Sequence, residues 1–283
     1  MEIKNIFLII FSLLLLVVLS WSIPNPHLNR NEVKIKKIIS LSPSITKQII
    51  DLEAEDRLIG VTSFHPPIKK KISIVGTIVQ PNIEKIISLS PDLVLFSKED
   101  QAVQFPEMLS AIGIKTVSFS KNENFMNITN NYLELGNLIG QKDLALKKIK
   151  SYQSGLESTQ LHIKDRKKIL FFLSHHPLIS VSQKSFINGI ISDAGGINVL
   201  PALKNPYPLI NLEMIVNLNP EIIISLIPES KFFFNNILKD YSEIIAIKKQ
   251  NIYTLPEKFI CYYTPKDYLA AKNQIEGIIK KAE

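Results

Sequence analysis

Residues Asn82 to Phe96 read NIEKIISLSPDLVLF, and residues Asn211 to Ser225 read NLEMIVNLNPEIIIS. Five of the fifteen positions are identical, six more are conservative, and the offset between the copies is a constant 129 residues. A chain that writes one stretch twice at that distance carries two related lobes. In each copy an asparagine is a good N-cap, because its side-chain oxygen accepts an orphan amide of the first helical turn. The proline then pushes the residue before it out of the α region, which limits the helix to about two turns. The runs Leu93 to Phe96 and Ile222 to Ile224 follow the Pro-acidic pair, and continuous β-prone runs of this kind form strands buried on both faces.

Glu84 and Glu213 hold equivalent places in the two copies, in the first turn, where a carboxylate gains from the positive end of the helix dipole. Two such glutamates on two lobes also form a symmetric acidic pair, suited to a partner with two basic sites. Either reading stands on the repeat alone.

The 283 residues exceed a usual single domain and divide into two lobes of ordinary size. With 46% apolar residues the chain can bury two cores. Its formal charge of +7 comes from 33 Lys+Arg against 26 Asp+Glu, with lysines scattered in pairs and triplets. That is a solvated basic surface and not a nucleic-acid stripe. Ile6 to Ile23 is apolar, preceded by Lys4 and followed by a polar, Pro-rich stretch. It reads as an export signal, which Ser20-Trp21-Ser22 permits to be cleaved after Ser22, or as a retained membrane anchor. An exported protein follows on either alternative. The single cysteine, Cys261, excludes an internal disulfide, and nothing has zinc-ligand spacing.

Expected segments are the leader over 1–23, an N-terminal α/β lobe over 24–140, a connecting helix over 141–165 and a C-terminal α/β lobe over 166–283. Strand Ile38 to Leu41, a helix begun by Ser42-Pro43-Ser44, strand Leu58 to Val61, the central repeat, helix Phe105 to Ile112 and strand Ile114 to Phe119 alternate, which implies a parallel sheet. Phe125 to Ile139 is helical. In the connector Ala145, Ile149, Tyr152, Leu156, Thr159 and Ile163 recur at helical spacing, and at 1.5 Å per residue it is about 35 Å long. Lobe two restarts with Lys167-Lys168 and strand Ile169 to Leu173, as Lys36-Lys37 opened lobe one. The loop Ser174 to Pro177 follows, then helix Phe186 to Asp193 closed by Gly195-Gly196, a Pro-rich loop, the second repeat, one helix over Lys231 to Ile247, strand Ile252 to Leu255 and a final helix over Asp267 to Lys281. Phe232-Phe233-Phe234 reads as helix core plus cleft edge.

No G-x-S-x-G, H-E-x-x-H, P-loop or G-x-G-x-x-G occurs, so no enzyme is expected. What remains are polar and aromatic residues at strand ends, where open α/β sheets place ligands. Lobe one offers Phe64 and His65; lobe two offers His175, His176, Tyr207, Phe259, Tyr262 and Tyr263. Aromatics facing across a cleft suit a large, flat or hydrophobic ligand, and each also has packing as an ordinary alternative. His65 with His175 or His176 offers imidazoles for a metal centre, with no partnered carboxylate motif to support one.

KKIISLSPSITKQIIDLEAEDRLIGVTSF, PNIEKIISLSPDLVLF, MLSAIGIKTVSF, DAGGINVL and NLEMIVNLNPEIII together resemble the periplasmic binding proteins of ABC importers for vitamin B12, ferric siderophores and haem. The resemblance runs from Lys36 to the last helix. It implies the class III architecture, two Rossmann-like α/β lobes joined by one long helix, with the ligand held between them. It further implies a monomer that carries no resident cofactor, transports a metal chelate, and docks Glu84 and Glu213 on arginines of a transmembrane permease. Among the vitamin B12-binding members, which it matches in length and motif order, His65 stands where they have a tyrosine and Tyr207 where they have a tryptophan. Ile78 falls where they have a second tryptophan, and their paired cysteines are absent. A corrinoid is thus the expected ligand, with a ferric siderophore or haem the alternative and His65 an available iron ligand. A membrane-tethered sensor without a permease is the reading from another class.

Overall fold

The computed structural model describes residues 35–98, 105–157, 166–256 and 264–282. The leader over 1–23 and the residues Phe259, Cys261, Tyr262 and Tyr263 lie outside the described residues. Among those described, no helix is long and apolar enough to cross a membrane.

Lobe one runs β1 (Ile38–Ser40), α1 (Pro43–Asp51), β2 (Leu58–Val61), β3 (Ser73–Ile74), α2 (Ile83–Ser88), β4 (Leu93–Ser97), α3 (Phe105–Ala111) and β5 (Thr116–Phe119). Its sheet is parallel throughout, in the order β3-β2-β1-β4-β5. Helices α4 (Phe125–Leu138) and α5 (Lys142–Glu157) follow. Lobe two then runs β6 (Lys168–His175), β7 (Leu178–Ser180), α6 (Phe186–Asp193), β8 (Ile197–Asn198), α7 (Leu212–Leu218), β9 (Ile222–Ser225), α8 (Ser230–Ile237), α9 (Ile245–Lys248), β10 (Ile252–Thr254) and α10 (Pro265–Lys281). Its sheet has the order β10-β9-β6-β7, with β8 paired to the start of β6.

The unbroken apolar runs arise because successive side chains leave a strand on opposite faces and both faces are covered. Ile38, Leu93 and Leu95 enter one core of lobe one while Ile39, Val94 and Phe96 enter the other. Ile169, Phe171, Ile222 and Ile224 divide from Leu170, Phe172 and Ile223 in the same way in lobe two.

The repeat is a structural unit in both places. Asn82 Oδ1 accepts the Lys85 amide at 2.9 Å and Asn211 Oδ1 accepts the Met214 amide at 2.9 Å. The acidic residue after the proline clamps the neighbouring strand. Asp92 Oδ2 accepts the Lys36 and Lys37 amides at 2.8 and 2.9 Å, and Glu221 Oε2 accepts the Lys168 amide at 2.9 Å. The Lys36 amide, then that of Lys37, holds the Asp92 carboxyl below the ordinary carboxylate range against a smaller opposing effect of burial.

Two expectations are corrected. The segment Ser174 to Pro177 is not all loop, because β7 returns antiparallel to β6 through a tight turn at His176-Pro177, whose peptide is cis. Ser174 to Pro177 is therefore the end of a strand plus a turn, and His175 is the last residue of β6. The single helix over Lys231 to Ile247 is two helices, α8 and α9. The α8 helix ends at Leu238, a turn closed by Tyr241 N to Leu238 O follows, and Asn219 Oδ1 accepts the Ile245 amide at 3.1 Å where α9 begins. Of the phenylalanine run, Phe234 is buried, Phe233 is half-buried and Phe232 is 74% exposed.

The connecting helix touches both lobes. Ala145 and Ile149 of α5 belong to a lobe-one core, while Tyr152 and Leu156 pack on a lobe-two core. Its 16 described residues span about 24 Å, and Thr159 and Ile163 of the expected stripe lie outside them. The α4 helix does the same in the reverse sense: Phe125 and Ile128 join the lobe-two core, and Tyr132, Leu135 and Ile139 join that of lobe one. The two helices meet closely at Gly136, where a Cβ would lie 2.7 Å from Ala145 Cβ. Asp51 at the end of α1 ties the pair to lobe one, accepting Tyr132 Oη at 2.5 Å and lying 3.6 Å from Lys148 Nζ.

Candidate functional site

The carboxyl ends of the strands carry the expected residues. Beyond β2, Thr62 is buried and donates from Oγ1 to the Phe64 carbonyl at 3.3 Å, and buried Pro66 anchors the loop. This leaves Phe64 53% exposed and His65 half-buried beside it. His65 Nδ1 lies 2.7 Å from the Pro66 carbonyl oxygen. A carbonyl oxygen only accepts, so Nδ1 donates, and in the neutral ring the lone pair lies on Nε2. Ile78 is half-buried.

In lobe two the histidines are held differently. His175 is 8% exposed, its Nε2 lies 3.0 Å from Ser225 Oγ at the end of β9, and its ring stacks on Phe233 with centroids 4.1 Å apart. Burial, then the neighbouring His176, lowers its pKa below the usual histidine value. This imidazole is neutral and packed. His176 is exposed and meets Phe233 edge-on at 5.3 Å. Among the described residues no group of three or more His, Cys, Asp or Glu side chains is placed to hold a metal ion.

A cavity of about 340 Å³ opens between the lobes. Lobe one lines it with Lys121, Asn122 and Glu123, between β5 and α4; lobe two lines it with Lys184, Phe186, Pro206 and Tyr207. Its volume lies within the range of small-molecule sites. Tyr207, 39% exposed, is oriented by a local turn: the Asn205 side chain accepts its amide at 2.9 Å and donates to its carbonyl at 3.1 Å. Phe64 and His65 stand at the end of β2, across β1 and β4 from β5, and are not among the described lining residues.

Sequence reasoning had not singled out Lys121, Asn122, Glu123, Lys184, Phe186 or Pro206. The available signal was position. Lys121 and Lys184 stand shortly before the helix N-caps Asn124 and Ser185, in the segments that lead into α4 and α6.

Glu84 and Glu213 occupy the first turns of α2 and α7. Both are exposed, and neither forms an ion pair among the described residues.

Comparison with known proteins bears on the whole of this body. The sequence profile of the periplasmic binding proteins matches residues 38–259. A vitamin B12-binding protein of Vibrio vulnificus is 26% identical over 247 residues, covering 86% of this chain and 89% of its own. An uncharacterized ABC transporter substrate-binding lipoprotein of Bacillus subtilis is 28% identical over 258 residues, covering 88% of this chain and 79% of its own. Among solved structures, the periplasmic vitamin B12-binding protein of Vibrio cholerae superposes with a TM-score of 0.75 at 21% identity, over 88% of this chain and 98% of that one. A periplasmic haem-binding protein of Vibrio cholerae superposes with a TM-score of 0.74 at 16% identity, over 86% and 98%.

Proposed function

The chain belongs to the periplasmic binding protein family, and on that premise we propose that it captures a corrinoid between its lobes and delivers it to an ABC permease in the membrane. The observation that carries this reading is the inter-lobe cavity with Tyr207 exposed on its wall. A planar ring offers a corrin macrocycle apolar contact. Glu84 and Glu213 serve delivery: exposed, unpaired in the described residues and equivalent by the repeat, they present one carboxylate per lobe to a basic partner. Charges at a rim of this kind steer and orient a complex more than they tighten it. The bound chelate is transported unchanged.

One observation favours haem as a second reading. The Nδ1 contact of His65 leaves Nε2 as the electron-pair donor, the form in which imidazole ligates iron. Calorimetric and visible-absorbance titration of the chain with cyanocobalamin, haemin and a ferric hydroxamate in parallel separates the two. Tight one-to-one binding of cyanocobalamin, weakened about tenfold or more in Tyr207→Ala, supports the corrinoid. Haemin binding with a histidine-type Soret band, lost in His65→Ala, replaces it with haem.

A further inference from the structure

The cavity that Tyr207 borders has a charge pattern that the capture of a corrin ring does not explain. Lys121 enters it from lobe one and Lys184 from lobe two. Both are exposed, and neither forms an ion pair among the described residues. Glu123 is the single acidic residue in the described lining, so two lysines from opposite lobes share the lining with one carboxylate.

Both lysines stand on a fixed backbone. Behind Lys121, buried Asn122 accepts from Asn131 Nδ2 at 2.9 Å, and the same amide nitrogen donates to the Ser120 carbonyl at 2.8 Å. Around Lys184, its own amide donates to Ser182 Oγ at 3.2 Å, and the Gln183 side chain donates to the Asn198 carbonyl at 3.0 Å. The flexible ammonium ends thus project from rigid anchors, which lowers the entropic cost of ordering them on a ligand. Like charges brought toward one another across a cleft repel, and an anion placed between them converts that repulsion into two attractions.

We infer that this end of the cleft is an anion subsite, in which Lys121 and Lys184 clamp an oxyanion arm of the chelate, a phosphate or a carboxylate, between the two lobes. The inference rests on the cleft being the chelate site and goes beyond it by assigning the ligand a negative arm and a direction in the cleft. It also makes the anion a bridge: only a ligand that reaches both lysines couples the two lobes electrostatically.

The test compares the full chain with Lys121→Gln/Lys184→Gln by calorimetry against four chelates. Cyanocobalamin carries a phosphodiester, dicyanocobinamide has the same corrin ring without it, haemin carries two carboxylates, and a ferric trihydroxamate without a pendant amine is uncharged. The double variant is expected to bind the anionic chelate about a hundredfold more weakly, about tenfold per lysine, and to bind the uncharged or phosphate-free probe as the parent does. Raising the salt should weaken binding of the anionic chelate to the parent and flatten in the variant. Loss confined to cyanocobalamin assigns a phosphate arm, and loss confined to haemin assigns carboxylates. The latter upholds the clamp while rejecting the corrinoid. Equal affinity of parent and variant for every chelate that binds overturns the inference, as does a parent that binds uncharged chelates alone.

Discussion

Reversing both repeat glutamates, Glu84→Lys with Glu213→Lys, is expected to abolish delivery and leave capture intact. Each carboxylate sits in the first turn of its helix, a position worth about 0.3–1 kcal/mol, and a lysine there turns that gain into a comparable loss. The folding cost of the pair is then about 2 kcal/mol, which lowers the melting temperature by about 4–8 °C in a body of this size and leaves it folded. Neither residue lines the inter-lobe cavity, so affinity for the chelate stays within about twofold of the parent. At a basic docking face the change exchanges two attractions for two repulsions, and juxtaposed like charges cost several kcal/mol. Since about 1.4 kcal/mol is tenfold, uptake falls by more than about a hundredfold. Each single variant, with one lobe still correctly charged, falls between. The assay is uptake of labelled chelate by cells in which this chain is the sole binding protein, with calorimetry and a thermal melt on the purified variant. Unchanged uptake would refute docking through these residues. Lost affinity with a normal melt would place them at the ligand instead.

Three further outcomes follow from the packing. Asp92→Asn removes the charge from a side chain that accepts two strand amides, and is expected to destabilise lobe one by about 1.5–3 kcal/mol in denaturant melts at neutral pH. Because the folded carboxyl is held below its ordinary value of 3.8, its contribution is complete above that pH and fades as the pH drops through the lowered value. The difference between parent and variant should therefore shrink only in acid, and a difference that vanished between pH 5 and 8 would contradict the clamp. Gly136→Ala drives a methyl to within 2.7 Å of Ala145 and should cost about 1–3 kcal/mol by prising α4 from α5; a neutral or stabilising effect would mean the helices are not pressed together. Since α4 and α5 each pack into cores of both lobes, ligand binding should leave the radius of gyration nearly unchanged in solution scattering, and a compaction on the order of 1 Å or more would contradict the stiff joint.

The sequence made the duplication legible because the repeat is a complete physical unit: cap, short helix, proline stop and buried strand. The connecting stripe was legible as far as Leu156, since a helical period survives over several turns, although the share that α4 takes in both cores was not read from it. Short elements escaped. Strands β3, β7 and β8 have two or three residues each, too few for any period to show, and β7 is set by a turn and by pairing to β6. His175 looked like a loop residue in SHHP because nothing local shows that Ser225, fifty positions on, meets its ring. The break between α8 and α9 has a cause equally remote, the Asn219 side chain at the start of α9. The cavity pair Lys121 and Lys184 could not be picked from a chain with lysines on most of its surface. Tyr207 was legible as an aromatic at a strand end, and its place on the cavity wall came from the fold.

The most direct test of capture between the lobes is hydrogen exchange on the full chain, free and saturated with whichever of the titrated chelates binds most tightly. Capture in the cleft predicts protection at both walls together, in 121–123 of lobe one and at 184–186 and Tyr207 of lobe two, with exchange at the first turns of α2 and α7 unchanged. Protection confined to one lobe, or found only away from these segments, would contradict it.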